Sequence, residues 1–171
     1  MMKDKEHLMI SNQTFFNESD LDQYVEWDAF PGIDFVDSQF EDLDLLGKVF
    51  GSCNFENCQF NDVSLRKCLF SNCNLKNCQM VKSNLTRAEF SDTSFRNCEF
   101  LKSNLQTSDF RRCELFQIKF KNSNLNLIGA QSVKVSNSKQ SIEIEESSNL
   151  EKILKGMNLI ISTDPDEIEN S

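Results

Sequence analysis

A period of five residues constrains the fold of this chain more than any other feature. Every fifth residue from 30 to 125 is large and apolar. The twenty positions are Phe30, Phe35, Phe40, Leu45, Phe50, Phe55, Phe60, Leu65, Phe70, Leu75, Met80, Leu85, Phe90, Phe95, Phe100, Leu105, Phe110, Leu115, Phe120 and Leu125. A helix repeats apolar residues at i, i+3, i+4 and i+7, and a half-buried strand alternates them, so neither produces this series. The period predicts a solenoid of stacked short repeats.

A second regular position lies two residues before each apolar centre. All seven cysteines of the chain occupy it, namely Cys53, Cys58, Cys68, Cys73, Cys78, Cys98 and Cys113. Its other occupants are mostly small or aliphatic, and the remaining three residues of each quintet are largely polar or charged. Each quintet is therefore predicted to turn one small and one large side chain inward.

Residues of the same kind recur at intervals of twenty. One column of centres is entirely leucine, with Leu45, Leu65, Leu85, Leu105 and Leu125, and another is entirely phenylalanine, with Phe50, Phe70, Phe90 and Phe110. One coil therefore contains four quintets, and the cross-section is predicted to be a square. Coils at the usual strand spacing of ~4.8 Å give about five coils in a rod roughly 24 Å long. The predicted core ladders are these two columns and the cysteine columns Cys53/Cys73 and Cys58/Cys78/Cys98.

The positions of the cysteines favour a packing role over metal or disulfide chemistry. Steps of five residues put neighbouring cysteines on adjacent sides of the coil, and the inward small-residue niche accounts for that spacing. Buried cysteine commonly acts as a small apolar residue. Cysteines stacked on successive coils have Cβ atoms about 4.8 Å apart, which is longer than the ~3.8 Å that a disulfide prefers. We expect neither a metal site nor disulfides.

Catalytic, export and membrane signals are missing from the sequence. The chain has a single histidine, His7, and no glycine-rich phosphate loop, so a nucleophile in the rod would lack a histidine base. Residues 1–16 lack the apolar stretch of a signal peptide, and no segment approaches the ~20 apolar residues of a membrane span. An odd number of cysteines fits a reducing compartment. These observations predict a cytoplasmic protein that is not an enzyme, needs no cofactor and has no membrane partner.

The pattern divides the chain into four segments. Residues 1–29 are predicted to form an N-terminal tail and cap, and residues 30–135 the repeat helix. Residues 136–162 are predicted to form a C-terminal cap and dimerisation segment with a short helix and a last strand, because apolar residues there first alternate and then follow helical spacing. Residues 163–171 are acidic and are predicted to be a disordered tail.

The quintets resemble the pentapeptide-repeat family, whose consensus is A(D/N)LXX. In this sequence the consensus is matched by Cys53-Asn54-Phe55-Glu56-Asn57 and by Ser83-Asn84-Leu85-Thr86-Arg87. The resemblance covers roughly residues 30–135. It implies an all-β fold, the right-handed quadrilateral β-helix, here of about five to six coils with an N-terminal cap and a short C-terminal helix plus strand.

The C-terminal segment from Asn149 to Ile161 is similar to the helix and strand that end the topoisomerase-protecting branch of this family, the Qnr, MfpA and McbG proteins. In that branch the segment joins two rods tail to tail. An apolar helix face on a small domain can cap its own core or meet a second copy, and the resemblance implies a homodimer. The predicted interface residues are Leu150, Ile153, Leu154, Met157, Leu159 and Ile161.

The same resemblance implies a function as a DNA mimic. Members of this branch bind DNA gyrase or topoisomerase IV and protect these enzymes from quinolones or peptide toxins. A candidate acidic surface for such a partner lies in the first coils and comprises Asp34, Asp37, Glu41, Asp42 and Asp44. Acidic side chains can imitate phosphates electrostatically, and the formal net charge of −9 argues against direct binding of nucleic acid.

A general protein-interaction scaffold without effect on topoisomerases is the alternative function. Residues 51–125 carry seven acidic and eleven basic residues, so the middle of the rod is positive, unlike a phosphate mimic. Flat sides of a rod would display ladders such as Gln59/Gln79, Asn84/Asn104/Asn124 and Val81/Leu101. The sequence leaves these two functions open.

Overall fold

Short parallel strands stack in register from one coil to the next. The computed structural model describes residues 7–147 and 150–161. In the repeat region each strand pairs with the strands twenty residues before and after it, as Phe50 does with Phe30 and Phe70. The chain is a parallel β-solenoid of about five turns, as the five-residue period predicts.

Three of the four sides are built by strands, and each side is named here by one central residue. The Phe50 face contains β3 (Ala29–Pro31), β6 (Val49–Gly51), β9 (Leu69–Ser71), β12 (Glu89–Ser91), β15 (Asp109–Arg111) and the first part of β18 (Gly129–Ser136). The Phe55 face contains β1 (Leu8–Ser11), β4 (Ile33–Val36), β7 (Asn54–Glu56), β10 (Asn74–Lys76), β13 (Ser94–Arg96), β16 (Glu114–Phe116) and the second part of β18. The Phe60 face contains β2 (Thr14–Phe15), β5 (Gln39–Glu41), β8 (Gln59–Asn61), β11 (Gln79–Val81), β14 (Glu99–Leu101), β17 (Lys119–Lys121) and β20 (Ile160–Ile161).

The fourth side, the Leu65 face, is joined by single bridges instead of strands. The bridges run in one column through Asp44, Ser64, Asn84, Asn104 and Asn124. Backbone hydrogen bonds connect its coils, for example from the Leu45 nitrogen to the Ser64 oxygen at 2.8 Å. The leucine column is buried behind this side. The four sides confirm the predicted coil of four quintets.

Phenylalanine rings stack on one another through the core. The ring centroids of Phe70 lie 4.6 Å from Phe50 and 5.1 Å from Phe90, and those of Phe40 and Phe60 lie 4.5 Å apart. All five rings are essentially inaccessible to solvent. Burial of one such side chain contributes about 1.5–3 kcal/mol. Stacks of identical rings therefore supply much of the stability of each coil.

The second inward position is occupied by small side chains that carry a hydrogen-bond donor. The Cys68 thiol donates to the Leu45 carbonyl oxygen at 2.9 Å, the Ser83 hydroxyl to Phe60 at 3.1 Å, and the Thr93 hydroxyl to Phe70 at 3.2 Å. Each acceptor lies twenty-three residues earlier, on the coil below. This shared contact explains why cysteine, serine and threonine exchange at this position. All seven cysteines are free and buried.

Ser108 departs from this rule, because its buried hydroxyl has no hydrogen-bond partner among the described residues. An unsatisfied buried hydroxyl costs about 1–3 kcal/mol. We therefore expect Ser108→Ala to raise the free energy of unfolding by about 1 kcal/mol. Ser103 is the matched control, since its hydroxyl donates to the Met80 oxygen at 2.9 Å and accepts from the Ser83 nitrogen at 3.1 Å. Ser103→Ala should lower stability in urea unfolding, and equal effects of the two variants would contradict this account.

Every corner between two faces is made by a residue with left-handed backbone. The φ angles at Asp37, Asn57, Asn77 and Asn97 are between 50° and 56°. Asparagine and aspartate tolerate this conformation better than other side chains that carry a Cβ atom. The amide nitrogen of each asparagine in this column donates to the side-chain oxygen one coil below, for example Asn77 to Asn57 at 3.0 Å. Side-chain ladders thus reinforce the corners.

The N-terminal end of the core is covered by a partial coil. Ile10 in β1 pairs with Phe35, and Phe15 in β2 pairs with Phe40, at an offset of twenty-five instead of twenty. Two 3-10 turns, Glu18–Asp20 and Asp22–Tyr24, follow and bury Leu21 against the core. Part of the predicted N-terminal cap is therefore an extension of two faces, while the boundary at residue 29 stays a prediction.

The C-terminal end is closed by an antiparallel strand and a helix. β19 (Ser141–Ser147) pairs with β18 in the antiparallel sense and so covers its edge. The helix α1 (Leu150–Gly156) follows, and β20 returns to pair with β17 on the Phe60 face. The predicted short helix and last strand are confirmed. In the part of the chain that the structure describes, no helix has the length and hydropathy to cross a bilayer. The predicted disordered tail, residues 163–171, lies outside the described residues.

Candidate protein-binding surfaces

The predicted acidic surface forms a belt around the first coil and is not one flat face. Asp34 lies on the Phe55 face, Glu41 on the Phe60 face and Asp44 on the Leu65 face. Asp37 and Asp42 occupy the corners between these faces, where φ is 50° and 53°. The structure therefore brings the five carboxylates onto one coil but points them in three directions. A flat partner would meet two or three of them at once.

Three of these carboxylates are engaged by neutral amides of the next coil. Asn54 donates to Asp34 at 2.6 Å, Asn57 to Asp37 at 2.9 Å, and Asn61 to Glu41 at 2.7 Å. His7 also contacts the same Asp34 oxygen through its Nδ1 atom, at 2.7 Å. Amide donors orient a carboxylate without neutralising its charge. The belt thus stays negative and has fixed geometry.

The central coils have an excess of positive charge that is concentrated at one face. Six of the seven acidic residues between positions 51 and 125 are in ion pairs, those joining Glu56 to Lys76, Asp62 to Lys82, Asp92 to Arg112, Glu99 to Lys121, Asp109 to Arg111 and Glu114 to Arg96. Within the described residues, five bases of this region have no such partner. Four of them lie on the Leu65 face or at its two corners and are called the basic patch: Arg66, Lys67, Arg87 and Lys102.

Amide side chains line the same face in a single column. The Oδ1 atom of Asn84 accepts from the Thr86 nitrogen at 3.1 Å, and that of Asn104 from the Gln106 nitrogen at 3.0 Å. Asn124 repeats the contact. The side-chain oxygens are therefore occupied within the coil, while the NH2 groups of these three residues have no acceptor in the part of the chain that the structure describes. The sequence shows this column, but its locked orientation appears only in the structure.

A polar groove follows the corner between the Phe55 and Phe60 faces. It has a volume of about 700 Å³ and is lined by amide side chains of successive coils, including Asn77, Asn97, Gln117, Gln59 and Gln79. The half-buried side chains of Val81 and Leu101 lie further along the Phe60 face. These ladders, which the sequence predicts, are therefore displayed side by side on the surface.

The residues predicted to form a dimer interface mostly cover the core of their own chain. Four of them, Leu150, Leu154, Met157 and Leu159, are at most 6% exposed and belong to the core cluster. Ile153 and Ile161 are half-buried and could meet a second copy. The apolar face of α1 thus covers the end of the solenoid core of its own chain. Dimerisation through this segment stays a prediction.

The thiols of Cys68 and Cys113 are held in the neutral form by burial. Burial raises the pKa of Cys68 to about 12 and that of Cys113 to about 11. The thiolate is the form of cysteine that attacks electrophiles and binds metals. Across residues 7–147 and 150–161, no three His, Cys, Asp or Glu side chains are grouped so that they could hold a metal ion. All seven cysteine side chains are buried and so form part of the packed core.

A parallel β-solenoid with four flat sides and repeated surface columns defines the class of this protein as a β-helical repeat protein. Residues 48–128 match the family model described as the pentapeptide repeat region. The repeat region of this chain, over residues 48–128, is therefore a pentapeptide repeat region. No curated protein sequence matches it.

Several solved structures overlap with this chain at low identity. A trypsin-treated variant of QnrB1, a plasmid-mediated fluoroquinolone resistance protein, is 15% identical with a TM-score of 0.44, over 74% of this chain and 67% of its own. Rfr23 from the cyanobacterium Cyanothece 51142 is 15% identical with a TM-score of 0.21, over 76% and 82% of the two chains. HetL from the cyanobacterium Nostoc, involved in heterocyst differentiation regulation, is 10% identical with a TM-score of 0.24, over 76% and 81%. Overlaps this weak carry no argument about a partner.

Proposed function

We propose that this chain is a non-enzymatic scaffold that binds a protein partner in the cytoplasm. The observation that supports this proposal is the repetition of outward side chains in register, such as Asn84, Asn104 and Asn124 on one face and Gln59 and Gln79 on another. Columns fixed by the backbone are already ordered before binding. Such a surface loses little conformational entropy when a partner docks, which favours affinity.

Site-specific photo-crosslinking tests this function. A photoreactive amino acid is placed at one outward position of each face, Gln79, Glu89, Asn74 or Asn124, and the full-length protein is irradiated in extract of its producing cells. A docked partner should give one discrete adduct from one face or from two adjacent faces. Adducts of equal yield from all four positions, or none from any, would contradict the proposal.

Binding of a type II topoisomerase is the second candidate, and the acidic belt of the first coil supports it. Phosphate mimicry needs a negative surface of fixed geometry, which Asp37, Glu41, Asp42 and Asp44 offer at the N-terminal end of the rod. The similarity of the C-terminal segment to the Qnr, MfpA and McbG branch points to the same class of partner. The ion-paired central coils are not part of this surface.

A DNA gyrase supercoiling assay, with and without ciprofloxacin, tests the second candidate. The wild-type chain should inhibit the enzyme or protect it from the drug at micromolar concentration. The variant Asp37→Asn/Glu41→Gln/Asp42→Asn/Asp44→Asn should lose this effect. A control with the same charge change elsewhere, Glu89→Gln/Glu143→Gln/Glu145→Gln/Glu151→Gln, should keep it. If the wild-type protein neither inhibits nor protects the enzyme, this candidate is excluded and the scaffold function remains.

Dimerisation through the C-terminal segment is best tested at residues that the core does not need. Leu154 is fully buried, so Leu154→Asp should unfold the end of the rod whether or not a dimer exists. The double variant Ile153→Lys/Ile161→Lys changes half-buried positions instead. If the proposed dimer forms, sedimentation velocity should show it for the wild-type chain and a monomer for this variant. A wild-type monomer would refute the dimer.

A further inference from the structure

We propose that the Leu65 face binds a carboxylate-rich, extended segment of a partner protein through the basic patch. This inference rests on the proposed protein-binding function and adds the chemistry of the partner and the face that it meets. The patch comprises Arg66, Lys67, Arg87 and Lys102, all of which are exposed. It is an unexpected feature in a chain whose net charge is −9.

The charge of this face is not compensated by neighbouring side chains. Six other bases of the central coils are held by carboxylates, as Arg112 is by Asp92 at 2.7 Å and Lys76 by Glu56 at 2.6 Å. None of the four patch residues has an ion-pair partner in the described part of the chain. An unpaired cation on a rigid surface is free to bind an external anion. The patch is therefore the part of the rod with the greatest available positive charge.

The hydrogen-bonding groups of the face complement its charge. The side-chain oxygens of Asn84 and Asn104 are occupied by backbone nitrogens two residues later, so their NH2 groups are the parts available to a ligand. The Thr86 hydroxyl also donates inward, to the Asn84 side-chain oxygen at 2.6 Å. Donor groups next to unpaired cations select a ligand with acceptor oxygens and negative charge. Carboxylate side chains have both properties.

The size of the patch fits a short peptide. Arg66 and Lys102 are separated by slightly less than two coils, or about 9 Å along the rod at the usual strand spacing. An extended chain rises about 3.3 Å per residue and turns alternate side chains to the same side. Two or three acidic residues within about five residues would therefore cover the patch.

The surroundings of the patch favour an acidic peptide over nucleic acid. At its N-terminal end the same face carries Asp42 and Asp44, and the Glu18 carboxylate lies against the Asp44 nitrogen at 2.7 Å. A long polyanion that followed the rod would meet these carboxylates, and its phosphates would be repelled by the overall negative charge. A segment with few charges, confined to the patch, avoids both penalties.

Fluorescence anisotropy at low ionic strength tests the proposal. The probe is a labelled peptide of alternating Glu and Ser, with a Gln and Ser peptide and a short DNA duplex as comparisons. The test variant is Arg66→Gln/Lys67→Asn/Arg87→Asn/Lys102→Asn, in which asparagine suits the left-handed corners at positions 67, 87 and 102. The matched control, Lys119→Gln/Lys134→Gln/Lys139→Gln/Lys152→Gln, removes the same charge elsewhere.

The test variant should bind the Glu peptide about tenfold more weakly or worse, whereas the control variant should bind it like wild type. Equal loss in both variants would show an effect of net charge alone and would overturn the proposal. Absence of binding to the Glu peptide, or tighter binding to the DNA duplex through the same bases, would also overturn it. If unfolding shows that the test variant is destabilised, the single variants Arg66→Gln and Lys102→Asn replace it, and each should bind the Glu peptide more weakly than wild type. If the Glu peptide does not bind the patch but the crosslinking experiment still gives an adduct from one face, this inference fails and the scaffold function stands.

Discussion

Phe70→Ala should lower the free energy of unfolding by about 3–5 kcal/mol, the largest effect expected of any single substitution discussed. Phe70 is fully buried and stacks between Phe50 and Phe90, with centroid distances of 4.6 and 5.1 Å. Removal of the ring leaves a cavity that the neighbouring coils cannot close, because backbone hydrogen bonds fix the spacing between coils. Guanidinium unfolding followed by circular dichroism measures the loss.

Phe16→Ala is the matched control for this substitution. The Phe16 side chain is 67% exposed, so its removal should change stability by no more than about 0.5 kcal/mol. Phe70 lies inside the stack and contacts the coils on both of its sides, and each coil of a solenoid contacts only its neighbours. Equal effects of Phe70→Ala and Phe16→Ala would show that the ring stacks do not hold the coils together.

Stability should fall as the pH rises above about 9, because the buried thiols of Cys68 and Cys113 resist ionisation. The unfolded chain releases these protons from a pKa of 9.0, whereas burial raises the pKa of Cys68 to about 12 and that of Cys113 to about 11 in the folded state. Their contribution is fully present below pH 9 and is lost as the pH rises through 11 and 12. Each thiol contributes about 1.4 kcal/mol per pH unit in this window, so the two remove about 5 kcal/mol by pH 11.

The double variant Cys68→Ala/Cys113→Ala isolates this effect from the titration of lysine and tyrosine. Alanine already occupies the position one coil above Cys68, at Ala88, so the fold accommodates it. The difference in unfolding free energy between about pH 8 and about pH 10.5 should be smaller for the variant than for wild type. Parallel pH profiles would show that these thiols do not control alkaline stability.

The repeat period predicts most of the fold because each inward position has a local cause. Phe50, Phe70 and Phe90 recur at intervals of twenty, and their rings stack closely on a straight column. The cysteines are explained in the same way by one niche and one carbonyl acceptor on the coil below. The five-residue period and its recurrence at twenty are thus enough to predict the four sides and the core ladders.

The binding surfaces were harder to predict, because the sequence does not show how exposed side chains pair. The acidic residues from Asp34 to Asp44 appear as one cluster in the sequence, yet they point in three directions around the coil. The basic residues appear spread over the middle, yet six of the eleven are in ion pairs, and four of the five that are unpaired among the described residues lie at the Leu65 face. When the exposed positions are arranged in columns of residues twenty apart, as the apolar centres are, the basic residues of the Leu65 face fall close together.

The structure of the two ends of the rod depends on contacts that no sequence period describes. The helical spacing of Leu150 and Leu154 predicts an apolar face but not what covers it, and the structure places that face against the core of the same chain. Ile10 and Phe15 continue two columns at an offset of twenty-five, where the count of five is interrupted.

The sequence by itself determined the coil, its four sides and the identity of the core, because stacking energy depends on residues twenty positions apart. Only the tertiary structure decided which charges remain unpaired and which apolar residues remain exposed. Both depend on distances between side chains on different faces and coils. A one-dimensional period cannot supply those distances.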